Sequence, residues 1–442
     1  MKRQRGIHIP DRKHTANDSG EFMPPSPVVT IPMNMHLGNT AICVVKVGDY
    51  VKVGQVIGEA NGQNSARIHA SVSGTVSEIL ETNPVTGKPQ VFVRIASDGL
   101  QVLDENLAPS KIENIDDFIV AVRNSGVVGL GGAAAPAVAR FILPDPNAID
   151  YFIINGAECE PYMTCDTRTM IDDAELLYEG LEYVHRLLGI ENIVVAIERN
   201  KPEAIRSMKA LCDNSPFARV QVLEHMYPQG GKINLIYNVT GRIVPEGGRP
   251  GDVGCIVTNC TTLASIMRYI ITGIPMIKKR VTVDGSAVKH PKNLLVPLGT
   301  PIRDVFEYAG GLRDDVGKVV TGGPMMGSAI PDLGAPIVKG TNTLLAFTKK
   351  DSVMPKPTDC IRCGKCVAGC PMQLMPVELH DAFLRSNPEK LHELKANMCV
   401  ECGCCAYVCP ARRPLTQYLK LAKATLREWQ KVTGNTPAVR PY

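Results

Sequence analysis

Hydrophobic and polar positions change rhythm several times along this chain. Over residues 6–104 apolar residues come in short alternating runs, as in AICVVKVGDYVKVGQVIGEANG and ARIHASVSGTVSEIL, broken at Gly48-Asp49, Gly54 and Gly74. Period-two runs closed by glycine turns predict a small all-β unit. From about 115 to 277, DFIVAVRNSG reads as a helix stopped by Gly126 and DYFIINGAE as a buried strand running into a loop. DDAELLYEGLEYVHRLLG then reads as an amphipathic helix between Asp and Gly, and NIVVAIE as a second buried strand. That alternation predicts an α/β domain with a largely parallel sheet. From 278 to 349, RVTVDG, NLLVPLGTPIRDVFEYAGG and KVVTGGPMMG predict a small mixed domain with one helix at about 302–309. KKDSVMPKPTD reads as a linker, and the rest is rich in cysteine and then helical: MPVELHDAFLRSN, PEKLHELKAN and LTQYLKLAKATLREWQKV.

No run reaches the roughly 18 uninterrupted apolar residues of a membrane span. The most apolar segment, Gly126 to Ala139, is broken by glycines. The start, MKRQRGIHIPDRKHT, has basic residues with no apolar run behind them, so no secretory signal is expected. A chain of 442 residues with 44% hydrophobic and 21% charged residues predicts two to four ordinary globular domains. A net charge of +4 and only 5% aromatic residues argue against nucleic-acid binding. Fifteen cysteines without an export signal point to metal ligation in a reducing compartment, not to disulfides.

The cysteines carry the strongest signal. Cys360, Cys363, Cys366 and Cys370 with Pro371 form C-x2-C-x2-C-x3-C-P, and Cys399, Cys402, Cys405 and Cys409 with Pro410 repeat it 39 residues later. Three thiolates at this spacing wrap one face of a cubane, while the fourth faces the other cluster. Cys360, Cys363, Cys366 and Cys409 are therefore assigned to one [4Fe-4S] cluster, and Cys399, Cys402, Cys405 and Cys370 to a second. Structural zinc takes four ligands in two pairs and has no use for a third C-x2-C step followed by x3-C-P. Cys404 is the odd thiol, expected to pack beside a cluster unligated.

Two close clusters make a one-electron wire, which needs a source. SGVVGLGGAAAPAVARF, 125–141, sets Gly126, Gly129, Gly131 and Gly132 before a small-residue segment that could open a helix. Glycines there let backbone N–H groups approach a phosphate. NGAECEPY follows at the end of a predicted strand, where α/β sheets bind ligands, and it offers Glu158 and Glu160. No Ser/His/Asp or Cys/His nucleophile constellation is visible, and the nine His are scattered.

These residues carry a resemblance. SGVVGLGGAAAP and NGAECEP resemble the flavin loops of the NADH-binding flavin subunit of respiratory complex I. More closely, they resemble the family of C subunits of the Rnf complex, the ion-translocating ferredoxin:NAD+ oxidoreductase. YPQGGKINLIYNVTGRIVPEGG, GCIVTNCTTLASI, GGPMMG, the N-terminal GIHIP and VKVGDYVKVGQVIGEANG resemble that family in the same order, over nearly the whole chain.

The resemblance implies a multidomain α/β plus β protein. An N-terminal arm and barrel-sandwich hybrid domain would span 1–108, and a complex-I-flavin-subunit-like α/β domain binding FMN and NADH would span 109–277. A β-grasp SLBB domain (278–350), an α-helical two-cluster ferredoxin domain (351–433) and a tail (434–442) would follow. The barrel lacks the modifiable lysine of biotinyl and lipoyl domains, reading His69-Ala70-Ser71 at that turn, so it is expected to be a scaffold or docking module.

Residue by residue, the resemblance implies FMN phosphate contacts from the backbone of Gly129, Gly131 and Gly132, with Arg140 in place of the family's usual Lys. Asn155 and Glu158 would lie near the isoalloxazine ring and Glu160 on the nicotinamide side. Tyr227, Gly230 and Gly231 would line the flavin, and Asn259 with Thr261 would close it. Glu158 and Glu160 are the candidate catalytic residues. Two departures stand out. Ala134-Ala135-Pro136-Ala137 replaces the family's Gly-Phe-Pro-Thr, removing an aromatic stack and a hydroxyl. Lys232 replaces a ribose-binding Glu, a change that weakens NAD(H) or redirects the site to a 2′-phosphate.

NADH delivers two electrons as a hydride and a [4Fe-4S] cluster takes one, so a flavin between them matches the chemistry. The expected function is an electron-transfer subunit passing electrons between NAD(H), FMN and two [4Fe-4S] clusters, in a complex coupled to ion translocation. Its expected partners are the membrane subunits and the ferredoxin-like B subunit of that complex, with ferredoxin indirectly. Its expected place is peripheral, on the cytoplasmic side of the cell membrane. The alternatives are a soluble paralogue feeding a dedicated reductase, and a cluster relay with an inactive flavin pocket. Between Ala411 and Lys431 six basic residues face one acid, Glu428. With Leu415, Tyr418, Leu419, Ala422 and Leu426 on one face, this helix is expected to turn Lys420, Lys423 and Arg427 outward, towards solvent, anionic lipid or an acidic partner.

Overall fold

The computed structural model of the protein describes residues 6–82, 90–143, 145 and 148–434. All but the first residue of the expected tail lie outside them. Alternating apolar positions build the first unit, as expected. Val28–Pro32, Gly74–Thr82, Gln90–Ser97 and Tyr50–Val51 form one sheet, and Ile42–Cys43, Val56–Glu59 and Ile68–His69 a second. The alternate residues Val29 and Ile31, and Val93 and Ile95, are fully buried together with Val76. Gly74 has φ +152°, and a Cβ there would lie 2.0 Å from the Ala96 carbonyl, so the strand can start there only as glycine.

Residues 6–23 add no strand to these two sheets. They form an arm that crosses the other domains. Ile7 pairs with Tyr227, and Glu21–Phe22 adds a parallel strand beside Leu294 and Leu295.

The next unit holds four parallel strands in the order Ala218–Leu223, Asn192–Glu198, Tyr151–Gly156 and Cys255–Asn259. The helix Ile115–Asn124 begins with a capping box between Asn114 and Asp117. The helix Ala174–Leu188 ends on Gly189 at φ 64°. A helix not expected from sequence, Cys165–Asp172, precedes it. Its Thr and Asp content has low helix propensity, and near-complete burial overrides that preference. The small-residue segment after the glycine loop differs in the other direction: it forms only one 3-10 turn, Ala137–Arg140.

A six-stranded mixed sheet follows, in the order Glu21–Phe22, Lys292–Pro297, Lys278–Asp284, Thr343–Thr348, Val316–Thr321, Ser328–Ala329, with the helix Ile302–Tyr308. One continuous apolar core runs through these three units. The cysteine-rich part has its own core, in which Leu379 and Leu391 pack with Leu415, Leu419, Ala422 and Leu426 of the helix Leu415–Thr433. Among the described residues no helix is long and apolar enough to cross a membrane.

Candidate functional site: two cysteine runs beside a glycine loop

The two cysteine runs repeat in backbone as well as in sequence. Left-handed φ values recur 39 residues apart, at Arg362 (54°) and Glu401 (58°), Gly364 (72°) and Gly403 (86°), Gln373 (57°) and Arg412 (55°). The first pair turns peptide N–H groups onto sulfur: Arg362 donates to Cys360 Sγ and Glu401 to Cys399 Sγ, each at 3.4 Å. A non-glycine residue held in this region costs about 1 kcal/mol or more, so the repeat marks a functional constraint. One cavity is lined by Cys370 together with Cys399, Cys402 and Cys405. Burial raises the pKa of Cys370, Cys399 and Cys405, and each also feels the charge of others in this set. Burial raises Cys366 too, and its charged neighbour is Cys409 of the other run. Crossed sets of thiols are therefore close in space. Among the described residues no three such side chains converge on a single-ion site; a cubane instead spreads four thiolates over its corners.

The sets differ in exposure. Cys363 is exposed, with Cys360, Cys366 and Cys409 partly so, whereas Cys370, Cys402 and Cys405 are buried and Cys399 is partly so. The buried set faces the α/β unit. The Tyr227 hydroxyl donates to the Cys402 carbonyl at 2.7 Å, and Ile7, Ile9, Tyr227, Cys402 and Cys404 form one apolar cluster. Cys404 Sγ donates to the Tyr227 carbonyl at 3.8 Å.

The glycine loop is closed on itself by Gly129 N–H to the Ala135 carbonyl (2.7 Å) and Ala134 N–H to the Gly129 carbonyl (3.0 Å). Leu130 N–H donates to Thr262 Oγ1, tying the loop to the first turn of the helix Cys260–Thr272, whose cap is Asn259. A Cβ on Gly129 would lie 2.3 Å from Arg140 Nη2, and Gly132 holds φ +104°. Glycine at these two places lets a guanidinium and a left-handed backbone stand where phosphate is expected. Arg140 Nη1 is buried with no hydrogen-bond partner, and burial lowers its pKa. Lys232, at the first turn of the helix Lys232–Thr240, is open on one side, yet desolvation and then Arg140 lower its pKa. Two neighbouring cations short of an anion fit the phosphate of FMN. Lys232 therefore stands beside the phosphate-binding candidate Arg140, a place that the ribose role expected at this position does not anticipate.

The other candidates are largely engaged. Glu158 is buried and accepts from Asp166 N–H, Thr167 N–H and Thr167 Oγ1, so it caps the helix Cys165–Asp172. Its partner is Lys13 of the arm, at 3.9 Å, which also donates to the carbonyls of Glu158, Glu160 and Met163. Burial pushes Glu158 up and Lys13 down, and each opposes the other's shift. Glu160 accepts from Met325 N–H (3.1 Å) and Met326 N–H (2.9 Å), and burial raises its pKa. Both carboxylates are thus held as hydrogen-bond acceptors, Glu158 by the first turn of a helix and Glu160 by two amides.

Asn155 donates to the Gly230 carbonyl at 2.9 Å and accepts from Ala157 N–H, which fixes Gly230 and Gly231 over the strand end. Asn259 and Thr261 both bond Asp166, at 2.7 and 2.6 Å. What remains open to a ligand is the loop backbone, Arg140 and Lys232. Sequence reasoning missed Asp166, which lies in the helix it did not foresee, and Lys13 and Thr262, whose partners are far along the chain. On the last helix Leu415, Leu419, Ala422 and Leu426 are buried as expected, but Lys423 turns inward to the Cys399 carbonyl (2.7 Å) and Glu401 (2.6 Å).

Four family descriptions match in chain order: the RnfC barrel sandwich hybrid domain over residues 1–100, the Nuo51 FMN-binding domain over 122–268, the SLBB domain over 280–329 and the 4Fe-4S dicluster domain over 359–412. The chain is 38% identical over 422 residues to the C subunit of the Na(+)-translocating ferredoxin:NAD(+) oxidoreductase complex of Acetobacterium woodii, covering 95% of each. It is 40% identical over 378 residues to the C subunit of the proton-translocating ferredoxin:NAD(+) oxidoreductase complex of Clostridium ljungdahlii, covering 84% of this chain and 82% of that one. A chain of an NAD+-reducing [NiFe]-hydrogenase in its air-oxidized state shares the fold at a TM-score of 0.50 and 16% identity, covering 74% of this chain and 68% of that one.

Proposed function

Because this chain belongs to the family of C subunits of ion-translocating ferredoxin:NAD+ oxidoreductase complexes, we propose how its own residues order the electron path. It is an electron-transfer subunit of a multisubunit oxidoreductase, with FMN and two [4Fe-4S] clusters as cofactors. When bound, the flavin exchanges a hydride with NAD(H) and single electrons with the clusters. Arg140 and Lys232 hold its phosphate beside the backbone of Gly129, Gly131 and Gly132. The cluster of Cys399, Cys402, Cys405 and Cys370 stands next to the flavin. The cluster of Cys360, Cys363, Cys366 and Cys409 is the outer one, exchanging electrons with the ferredoxin-like or membrane subunits at the cytoplasmic side of the membrane.

The single observation supporting this order is the hydrogen bond from Tyr227 to the Cys402 carbonyl, made by the segment that leads into Gly230 and Gly231. Cys363 on the open side supports the outer assignment. Glu160 and Lys13 act here by holding the acidic loop and the arm against that junction.

The test is anaerobic mixing of loaded protein with NADH, following flavin bleaching optically and each cluster by EPR. Cys370→Ser should disturb the inner cluster and slow reduction of the outer one at least tenfold, with flavin bleaching unchanged. Cys409→Ser should disturb only the outer cluster. Outer-cluster reduction at the native rate in Cys370→Ser would overturn the order.

A further inference from the structure

The apolar core of the cysteine-rich part is separate from the core shared by the other units. Between them stands a small apolar cluster of Ile7, Ile9, Tyr227, Cys402 and Cys404, edged by Met325. The arm alternates at this point: Ile7 and Ile9 are buried, whereas His8 and Pro10 are exposed. Ile7 exchanges both backbone hydrogen bonds with Tyr227, at 2.8 and 2.9 Å. A Cβ on Gly6 would lie 2.6 Å from the Tyr227 carbonyl oxygen, so this close approach needs glycine before Ile7. The Ile7 side chain also meets the first cysteine run. A Cβ on Gly369, the residue before Cys370, would lie 3.1 Å from Ile7 Cγ2. Ile7 thus packs where the two runs that supply ligands to the inner cluster come together. Behind its tip the arm is fastened to the flavin side. The Asp11 carbonyl accepts from Tyr162 N–H (2.9 Å), its carboxylate accepts from Asn200 (3.2 Å), and Lys13 donates to three carbonyls of the acidic loop.

We propose that Ile7 and Ile9 are positioning residues for electron transfer between the flavin and the inner cluster, a role that rests on that cluster standing next to the flavin. Tyr227 leads into Gly230, whose N–H meets Cys159 Sγ (3.4 Å) and whose carbonyl accepts from Asn155 (2.9 Å). The flavin-lining segment and Cys402 are therefore joined through Tyr227, and the arm tip holds Tyr227 in place. In the step served, one electron leaves the flavin and one arrives on the inner cluster, with no bond made or broken. Its rate depends on a fixed separation of donor and acceptor. The two isoleucines also exclude water beside Cys402. The reduced cluster carries one more negative charge than the oxidised one, so a dry surrounding disfavours reduction and holds the potential down.

The experiment compares Ile7→Ser, Ile9→Ser, the conservative Ile7→Val and the exposed-site control His8→Ala in the anaerobic, FMN- and cluster-loaded full chain. Mixing with NADH follows flavin bleaching optically and each cluster by EPR, and a mediated redox titration read by EPR gives the cluster potentials without NADH. Both serine variants should keep iron and FMN, bleach the flavin at the wild-type rate, and reduce the inner cluster slower by about tenfold or more. At a fixed solution potential the reduced-to-oxidised ratio of their inner cluster should rise about threefold or more, with the outer cluster unchanged. A raised potential by itself would speed the step, so slowing together with the rise marks lost positioning. Ile7→Val and His8→Ala should match wild type in both readouts. Wild-type reduction rate and potential of the inner cluster in either serine variant would overturn the proposal. So would loss of iron or FMN, which would make the arm tip a folding element. In the wild-type chain, reduction of the outer cluster before the inner one would overturn the cluster order instead.

Discussion

Lys339 is fully buried, and its ammonium donates to the carbonyls of Arg67 (2.6 Å) and Gly126 (2.7 Å), joining the SLBB unit to the barrel and to the start of the glycine loop. Among the described residues no carboxylate answers it. Burial lowers its pKa to about 7. The titratable groups around it add no compensating charge: His36 is lowered to about 4 and His69 well below its usual value, each by burial first and by Lys339 second. In the unfolded chain the lysine ionises near 10.5. A base depressed on folding opposes the fold by about 5 kcal/mol where both states are charged, below pH 7. That penalty fades as pH rises from about 7 towards 10.5, because folding then releases a proton. Between pH 7 and about pH 9 the gain in stability is about 2 kcal/mol.

Lys339→Met removes the titration and leaves two carbonyls without a donor, at about 1–3 kcal/mol each. The variant should therefore be near wild type in stability at about pH 6. It should fall behind by about 2 kcal/mol more on going from pH 7 to pH 9. Denaturant unfolding of the loaded chain across this range, read by cluster absorbance and intrinsic fluorescence, measures the difference. A gap between the two proteins that changes by less than about 1 kcal/mol over that range would refute the reasoning.

Gly129→Ala would put a Cβ 2.3 Å from Arg140 Nη2 and displace the guanidinium; losing a charged hydrogen bond of about 1.5–3 kcal/mol should weaken FMN at least tenfold with iron retained, as fluorescence titration would show. Retained FMN affinity would separate Arg140 from the phosphate. Lys13→Met leaves Glu158 a buried acid without its cation and should cost about 3–5 kcal/mol, with residues 6–23 opening to limited proteolysis before the rest. Proteolysis at the wild-type rate would mean the arm is held elsewhere. Charge reversal at Arg412, Lys420 and Arg427 should release the protein from membranes without iron loss, since about 1 kcal/mol attends each basic residue at an anionic surface; unchanged fractionation would leave that face solvated. Lys423→Glu should differ by losing the buried cluster, because Lys423 bonds the Cys399 carbonyl and Glu401.

Cluster chemistry was legible in sequence because its ligands lie within eleven residues of one another in each run, and cubane geometry sets that local spacing. The crossed assignment of Cys370 and Cys409 is read from the repeat, and the backbone repeats as well, in paired left-handed residues at the same offsets. The parallel sheet and the helix Ala174–Leu188 were legible for the same local reason: periodicity and end signals lie inside each element. The helix Cys165–Asp172 was not, because its stability comes from burial between other elements, while its own Thr and Asp residues favour turns.

Tertiary structure alone decided what the charged residues do. Glu158 and Glu160 stand beside a glycine-rich loop in sequence and look like catalytic acids. Lys13, 145 residues away, and the Met325 and Met326 amides, 165 and 166 away, turn them into structural acceptors. Lys232 reads in sequence as a lost ribose contact, yet it stands beside Arg140; Lys423 reads as a surface charge, yet it bonds the Cys399 carbonyl. An ion's role is set by the partner that meets it, and such partners carry no periodic trace along the chain. Spacing therefore pointed to the cysteines that would hold iron, whereas only folding showed which of them lie against the α/β unit and which partners meet each buried acid and lysine.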